Sequence, residues 1–269
     1  MRAVRVLREV QLIAAEDTRT TRVLLRKYGI NTRIVSYNEH NMRRRTPQLL
    51  GALETGDVAL VSEAGTPGVS DPGRELIGAA IAAGFPVVPV PGPSAVIAAL
   101  SASGLEMRQF TFLGFMPRRP AERRRALAQL VGEPRTLVLF EAPHRLRALL
   151  SDILSILGDR GIAVCRELTK AFEEVFRGSV SEALAHFAQP RGEFTLVIEG
   201  GTAQDLPVTD EAITSELRLQ LQAGASPRDA ASQVAVDMGV PRRRVYALSL
   251  TLQAAAARKR RRARPPAEA

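Results

Sequence analysis

Two loops rich in glycine and proline carry the residue types that could hold a ligand through the backbone. The first spans residues 63–73 and the second residues 91–95, and each follows a short apolar run. Glycine removes side-chain bulk, and both residue types fix unusual backbone angles, so backbone amides can approach a ligand closely. Neither loop has the glycine-lysine pattern of a phosphate-binding loop. The pattern favours a ligand recognised by backbone and shape; the alternative is two well-formed turns between a strand and a helix.

The runs that precede these loops belong to a regular alternation of short strands and helices. β-branched apolar runs predict strands, and stretches with a period near 3.6 residues predict helices. Strands that alternate with helices are typical of α/β proteins. The predicted strands are 12–15, 33–36, 58–62, 87–90, 111–115, 136–140, 162–166 and 194–199, and the predicted helices are 43–53, 73–83, 94–103, 121–130 and 143–157.

The order of these elements predicts two α/β domains, residues 1–108 and 109–201, and then a small helical domain, residues 208–254. In the helical segment, Ser226 and Pro241 are typical of helix starts, whereas Gly224 and Gly239 are typical of helix ends. Three short helices with tight turns resemble a helix-turn-helix bundle, although a packing appendage without a nucleic-acid role fits equally well.

The charge of the chain is concentrated at its end. Lys and Arg number 37 against 28 Asp and Glu, which gives a net charge of +9. Six positive charges lie within residues 258–264, so 9 − 6 leaves +3 for the rest of the chain. We expect residues 255–269 to form a basic disordered tail, which either contacts a polyanion such as RNA or only aids solubility.

Several classes of function are disfavoured by what the chain contains. Cys165 is the single cysteine, so no disulfide framework within the chain and no Cys-x-x-Cys metal site is expected. The three histidines are far apart in sequence, so we expect no metal. No apolar run has the length of a membrane span and the first residues lack a signal-peptide core, so a cytoplasmic protein without a membrane partner is expected.

Several motifs together resemble the tetrapyrrole-methylase superfamily. The residues that carry the resemblance are Glu63–Pro67, Asp71–Gly73, Pro91–Ala95 and Leu100–Gly104. Three further stretches, Glu16–Arg19, Phe140–Arg145 and Arg166–Lys170, are similar to members that methylate the 2′-oxygen of a cytidine ribose in 16S ribosomal RNA. The likeness extends from about Val4 to Tyr246.

The resemblance implies a cofactor cleft between two α/β domains, S-adenosylmethionine as the cofactor, and a homodimer. It also implies 16S ribosomal RNA, or the small ribosomal subunit, as the partner. Carried over residue by residue, the cofactor contacts that it implies are Ala64, Gly65, Thr66, Val69, Ser94, Ala95, Glu141 and Leu168. One departure is Glu63, which stands where the family usually has aspartate.

Methylation of a ribose hydroxyl needs a group that accepts its proton or stabilises the alkoxide. Glu16 and Lys170 follow predicted strands and are the catalytic candidates, and Asp17, Glu167 and His144 are the alternatives. Each of them could instead cap a helix or contact RNA.

Cationic side chains near the mouth of the cleft would hold the phosphates of the RNA. Arg19, Arg118 and Arg119 are the candidates, and each could equally belong to a solvated helix face. Two other functions compete with RNA methylation. They are methylation of a tetrapyrrole or protein within the same superfamily, and RNA binding without catalysis.

Members of the superfamily begin with a strand and an Ala-Thr-Pro-Ile-Gly-Asn-Leu-like loop that forms part of the cleft. The first residues here, Met1–Val4, correspond to the helix after that loop. We therefore expect one wall of the cleft to be absent from the sequence as given, and a version with that wall to be more stable and more active.

Overall fold

The computed structural model describes residues 1–202 and 210–262, and residues 253–262 through their backbone only. The chain divides into two compact units, Met1–Thr202 and Ala203–Ala269. The first unit contains both sheets of the molecule. Among the described residues, no helix is both long and apolar enough to cross a membrane.

The first sheet has three parallel strands in the order β2-β1-β3. The strand β1 is buried along its whole length because it lies in the middle. Helices between successive strands return the chain, so all three carboxyl ends lie at one edge. The elements are α1 (Arg2–Glu9), β1 (Leu12–Ala15), α2 (Thr18–Lys27), β2 (Arg33–Ser36), α3 (Met42–Leu53), β3 (Val58–Val61) and α4 (Arg74–Ala82).

The predicted strand over residues 87–90 is wrong. Its valines have strand propensity, but a strand also needs a neighbour for its ladder hydrogen bonds, and this segment pairs with none in the described chain. Val87 and Val88 are instead 44% and 65% exposed. They line a cavity of about 410 Å³ together with β3 and α4.

The second sheet has five strands in the order β4-β5-β8-β6-β7. The pair β4 and β5 is parallel and all other neighbouring pairs are antiparallel. The carboxyl ends of β4, β5 and β6 therefore share one edge, where β7 and β8 begin. The elements are α5 (Ala95–Ser103), β4 (Phe110–Phe115), α6 (Pro120–Ala128), β5 (Thr136–Glu141), α7 (Pro143–Leu157), β6 (Gly161–Arg166), β7 (Glu174–Ser179), α8 (Val180–His186) and β8 (Phe194–Ile198).

Helices cover both faces of this sheet. On one face, α7 buries its leucines and Ile153 against β5, β6 and β8. On the other face, Val96, Ala99 and Leu100 of α5 pack against Val138, Ala163 and Val197. The helix that follows the second glycine-proline loop is thus anchored on the five-stranded sheet.

The second unit is helical, with α9 (Asp210–Gln222), α10 (Pro227–Asp237) and α11 (Arg242–Arg262). Ile213, Leu217, Val234 and Val245 form its core. The predicted helix signals are confirmed. Ser226 caps α10, and Gly224 and Gly239 have φ angles of +92° and +61°.

The α/β fold class is confirmed by the two sheets and their covering helices. The domain boundaries at residues 108 and 201 stay predictions. The predicted start of the helical domain at residue 208 falls within residues 203–209, which lie outside the described residues. The backbone of α11 reaches Arg262, and residues 263–269 of the predicted tail lie outside the described part.

Candidate functional site

The first glycine-proline loop starts where β3 ends and lies beside the end of β1. The Glu16 backbone N–H donates to the Val61 carbonyl (3.0 Å), and the Glu63 N–H donates to the Glu16 carboxylate (3.2 Å). The Ser62 hydroxyl donates to the Ala64 carbonyl (3.0 Å). These bonds fix the start of the loop against the carboxyl edge of the parallel sheet, where ligands bind in open α/β sheets.

The backbone of this loop turns through conformations that favour glycine. Gly65 and Gly68 have φ angles of +70° and +83°, and Ser70 adopts φ +64° without being glycine. At Gly73 a Cβ would lie 2.9 Å from the Leu60 side chain, so the loop can close onto β3 only with glycine there. At Gly65, in contrast, a Cβ would meet nothing within 4 Å. The loop is tightly packed at its base and open at its tip.

The predicted cofactor residues of this loop lie at the open tip. Ala64, Gly65, Thr66 and Val69 are all exposed, and the Val69 N–H donates to the Thr66 carbonyl (3.2 Å) to form a tight turn. Their surface is accessible to a ligand.

The second glycine-proline loop ends at the start of α5. Ser94 caps that helix, because its hydroxyl accepts from the Ile97 N–H (3.5 Å), and Ala95 is the exposed first residue. The Ser94 side chain thus has a structural role in the free protein. Ala95 lies in the first turn of the helix, where backbone N–H groups have no partner within the helix.

Asp71 is the titratable residue of the first loop that its surroundings perturb most. Burial and the carboxylates of Glu16, Glu63 and Glu193 raise its pKa from 3.8 to about 6, against a lowering interaction with the Ser62 hydroxyl. Its proton affinity therefore lies close to neutral pH, as a general base requires. The sequence showed Asp71 within a motif but gave it no role, because only the fold brings Glu193 to it.

At the edge of the second sheet, the Glu141 side chain is directed inward. Its carboxylate is fully buried, accepts from the Ala142 N–H (2.8 Å) and pairs with Arg145 (3.2 Å). Arg145 also donates to the Met116 carbonyl (2.6 Å). Burial raises the pKa of Glu141, against the N–H of Ala142 and the charge of Arg145. Any ligand contact by Glu141 would therefore use its backbone.

Lys170 is held by two carboxylates. Its ammonium lies 2.8 Å from Glu167 and 2.9 Å from Glu193. The hydrogen bond to Glu167 is the main reason that the pKa of Lys170 is raised. The lysine is therefore protonated at neutral pH and can stabilise negative charge, whereas it has no lone pair to accept a proton. Leu168, in the same loop, is half-buried against the α5 side of the sheet.

Two observations place the edges of the two sheets near one another. Glu193, which begins the approach to β8, is close enough to Asp71 to affect its pKa. On the other side, a Cβ placed on Gly114 of β4 would lie 3.0 Å from the Ser70 hydroxyl. The predicted catalytic candidates Glu16 and Lys170 are thus brought near one another through Asp71 and Glu193.

The alternatives Asp17 and His144 have positions that fit structural roles. Asp17 caps α2 and pairs with Arg19 (2.6 Å), and the hydrogen bonds of Arg19 lower the pKa of Asp17 to about 2. His144 is exposed in the first turn of α7.

The three predicted RNA-binding arginines are exposed. The side chains of Arg19 and Arg119 are 87% and 83% accessible although each pairs with one carboxylate. Arg118 forms no ion pair within the described ranges. Arg118 and Arg119 follow β4, so they lie at the same edge as Glu141 and Lys170.

The site suits a small cationic ligand better than an anion. Three carboxylates act on Asp71 with the same sign, which indicates a negative potential at the base of the first loop. At the open tip, no atom lies within 4 Å of the position that a Cβ of Gly65 would take, so the backbone there is accessible. Within the described residues, no group of three or more His, Cys, Asp or Glu side chains is arranged to hold a metal ion.

The fold and these loops define an α/β protein with a candidate ligand site at the carboxyl ends of its strands. The family model for tetrapyrrole (corrin/porphyrin) methylases matches residues 1–184. The chain belongs to the tetrapyrrole methylase family.

Curated relatives extend the match over nearly the whole chain. A Synechocystis protein named ribosomal RNA small subunit methyltransferase I is 46% identical over 258 residues, which cover 94% of this chain and 92% of the relative. The protein of that name from Halalkalibacterium halodurans is 44% identical over 252 residues, 91% of this chain and 87% of the relative.

Among solved structures, the uroporphyrin-III C-methyltransferase of Thermus thermophilus, complexed with S-adenosylhomocysteine, has the same fold. It superposes with a TM-score of 0.53 at 18% identity, and the match covers 74% of this chain and 89% of the other.

Proposed function

We propose that this chain transfers a methyl group from S-adenosylmethionine to the 2′-oxygen of a cytidine ribose in 16S ribosomal RNA. The observation that carries the proposal is the 46% identity to a ribosomal RNA small subunit methyltransferase over 94% of this chain and 92% of that relative. The position of the site at the strand ends agrees with such an activity.

The cofactor would be held by the open tip of the first loop, by Ala95 and by the backbone at Glu141 and Leu168. When bound, S-adenosylmethionine supplies an electrophilic methyl group on a positively charged sulfonium. The carboxylates around Asp71 favour that positive charge. The full set of contacts that we propose is Ala64, Gly65, Thr66, Val69, Ser94, Ala95, Glu141 and Leu168.

The hydroxyl that receives the methyl group must lose its proton during transfer. We assign Asp71 as the general base, since its pKa of about 6 leaves it mostly ionised at pH 7 while it still binds a proton readily. Glu16 contributes negative charge and holds the loop through the Glu63 N–H. Lys170 stabilises negative charge that develops on the ribose or on a nearby phosphate.

The RNA would be held by Arg118 and Arg119 after β4 and by Arg19 on α2. Their exposure would let Arg19 and Arg119 exchange a carboxylate partner for a phosphate, and would let Arg118 reach one directly. A ribose hydroxyl is reached most easily where RNA is single-stranded or distorted.

We also propose a homodimer of chains with two α/β domains, residues 1–108 and 109–201, that acts in the cytoplasm. The dimer and the cleft between domains rest on the family resemblance, and the compartment follows from small ribosomal subunits as the substrate. Light scattering would report a mass twice that of the chain, and a monomer at working concentration would refute the dimer.

Incubation with methyl-labelled cofactor and undermethylated small ribosomal subunits tests the activity. Free 16S RNA and a precursor tetrapyrrole serve as competing substrates. We expect label on a cytidine ribose of 16S RNA. Label on the tetrapyrrole alone, or on ribosomal protein, would overturn the proposal.

A further inference from the structure

The loop between β6 and β7 presents an aromatic ring to solvent. Phe172 is 73% exposed, which makes it the most exposed aromatic side chain in the described part of the molecule. Phe115 and Tyr246 follow at 52% and 47%. A ring exposed to this extent contributes little to the core, so packing within the chain does not explain it.

Hydrogen bonds and an ion pair fix the loop that carries Phe172. The Lys170 N–H donates to the Glu167 carbonyl (2.9 Å), and the Glu173 N–H donates to the Lys170 carbonyl (3.2 Å). The Thr169 N–H donates to the Glu173 carboxylate. The Lys170 ammonium ties the loop to Glu193 (2.9 Å), just before β8. Phe172 therefore lies on a turn whose conformation is fixed by hydrogen bonds and an ion pair.

This turn keeps strained backbone conformations. Glu167 and Thr169 have φ angles of +49° and +70°, in the left-handed region that residues with a side chain rarely occupy. Such conformations persist where the surrounding contacts enforce them, and they concentrate at binding and catalytic sites.

The loop that carries the ring lies at the edge of the second sheet where β4, β5 and β6 end. The loop begins at the carboxyl end of β6, on the same edge as Arg118 and Arg119 after β4. Lys170, two residues before the ring, binds Glu193, and Glu193 in turn acts on Asp71. Phe172 thus lies at the same sheet edge as Arg118 and Arg119, which follow β4 three strands along, and its loop is linked toward the group assigned as the base through Lys170 and Glu193.

We infer that Phe172 is the surface on which an unpaired base of the RNA substrate stacks beside the methylated nucleotide. The inference rests on the proposed function. Proteins read single-stranded RNA by splaying its bases onto aromatic side chains, and every base has a face that can stack. Arg118 and Arg119 at the same edge would hold phosphates of the same RNA strand.

Tryptophan fluorescence provides the direct test, because the chain contains no tryptophan. The variant Phe172→Trp places a single fluorescent ring at the proposed surface. The matched control is Tyr28→Trp, an aromatic position 41% exposed at the end of α2, which leads to the opposite edge of the first sheet. The probe is 16S RNA transcribed in vitro, which carries neither methyl groups nor tryptophan.

We expect the RNA to quench the emission of Phe172→Trp and to leave that of Tyr28→Trp unchanged. If RNA leaves the emission of Phe172→Trp unchanged, the inference is overturned. It is also overturned by a change caused by S-adenosylhomocysteine alone, which would place the adenine on the ring. A change with protein concentration in the absence of RNA would place a second copy of the chain there and also overturns it.

Kinetics with small ribosomal subunits separate stacking from a structural role. Phe172→Ala should raise KM for the subunit about 5- to 150-fold, the effect of losing one stacked base. Its Kd for S-adenosylmethionine and its melting temperature should stay at wild-type values. Phe172→Tyr should restore KM, whereas Phe172→Leu, which keeps apolar volume but no ring face, should not.

The two proposals can fail separately. If the wild-type chain labels 16S RNA while Phe172→Ala retains the wild-type KM, stacking is refuted and the methyltransferase stands. If the wild-type chain labels no RNA while RNA still quenches Phe172→Trp, the proposed reaction fails and the stacking surface stands.

Discussion

The loops 62–73 and 167–173 each follow a strand at its carboxyl end, yet they shift the proton affinity of their charged side chains for opposite reasons. In the first, Asp71 is partly buried among like charges, and its pKa rises to about 6. In the second, Lys170 is paired with two carboxylates, and its pKa rises above its ordinary value of 10.5. One loop therefore holds a group that can exchange a proton near pH 7, and the other holds a permanent charge.

Position at the end of a strand does not by itself define a catalytic role. Glu16, Asp71 and Lys170 all lie near the same edge, but their contacts differ. A carboxylate surrounded by like charges accepts a proton more readily, whereas a lysine that is hydrogen-bonded as an ammonium cannot do so. The four predictions below test this contrast, from the largest expected effect to the smallest.

The largest effect should follow from Asp71→Asn, which removes the proton acceptor and keeps the size of the side chain. We expect kcat to fall about 10²- to 10⁴-fold with little change in the Kd for the cofactor. Single-turnover methylation of small subunits measures it. Glu75→Gln, an exposed carboxylate in the first turn of α4, is the control and should retain activity. An Asp71→Asn rate within twofold of wild type would exclude the base.

The rate of methyl transfer should depend on pH with the sign of a base that must lose its proton. Because the pKa of Asp71 is about 6, activity should rise about tenfold per unit below pH 6 and level off above pH 7. A pH profile of kcat/KM from 5 to 9 shows this, with melting curves at each pH to exclude unfolding. A profile that is flat at low pH and begins to rise only as pH approaches 9 would point to the Lys170 ammonium as the titrating group.

Lys170→Met should reveal that the charge of Lys170 affects the pKa of Asp71 in the other loop. Without the ammonium, Glu193 acts on Asp71 as an uncompensated negative charge, so the midpoint of the pH profile should move upward by less than about one unit. At pH 7 this shift by itself lowers the ionised fraction of Asp71, and kcat with it, by less than about twofold. Lys27→Met, in the last turn of α2, is a control with the same change of charge and should leave the midpoint unchanged. A downward shift in Lys170→Met would refute the coupling.

The smallest effect concerns stability. A carboxyl group whose folded pKa is raised favours the folded state in its protonated form, so this contribution is present below pH 4 and is lost as pH rises through 6. Asparagine cannot ionise, so Asp71→Asn does not lose this stability as pH rises. We expect it to be more stable than wild type at pH 7.5 by no more than about 1 kcal/mol, since the group is only partly buried and solvent screens part of its interactions. Urea unfolding at pH 7.5 and pH 4 measures the difference, which should vanish at the lower pH; a variant less stable at pH 7.5 would contradict the assigned shift.

Sequence patterns predicted most strands and helices because those depend on local propensity and periodicity. The strands at 12–15 and 33–36 match the structure to the residue. The segment 87–90 failed because pairing depends on a neighbour that is distant in sequence. The strand β7 was missed because it lies at the edge of its sheet and is only partly buried, so it lacks a continuous apolar run.

The sequence predicted the parts of the site that depend on backbone conformation. It did not predict the properties that depend on which residues surround a side chain. Glycine and proline marked both loops, and the exposed tip at Gly65 agrees with the cofactor contacts that the resemblance implied. Asp71 gained no role from its spacing, because its pKa depends on burial and on Glu193 from another strand. The buried direction of Glu141 likewise depends on Arg145 one helical turn later.

The most direct test of the account is mass spectrometry of 16S RNA nucleosides after reaction of undermethylated small subunits with wild-type and Asp71→Asn protein at pH 7.5. We expect a cytidine with one additional methyl group on its ribose in the wild-type reaction, and little or none after the same reaction time with Asp71→Asn. A methyl group on the base, or equal ribose methylation by both proteins, would contradict it.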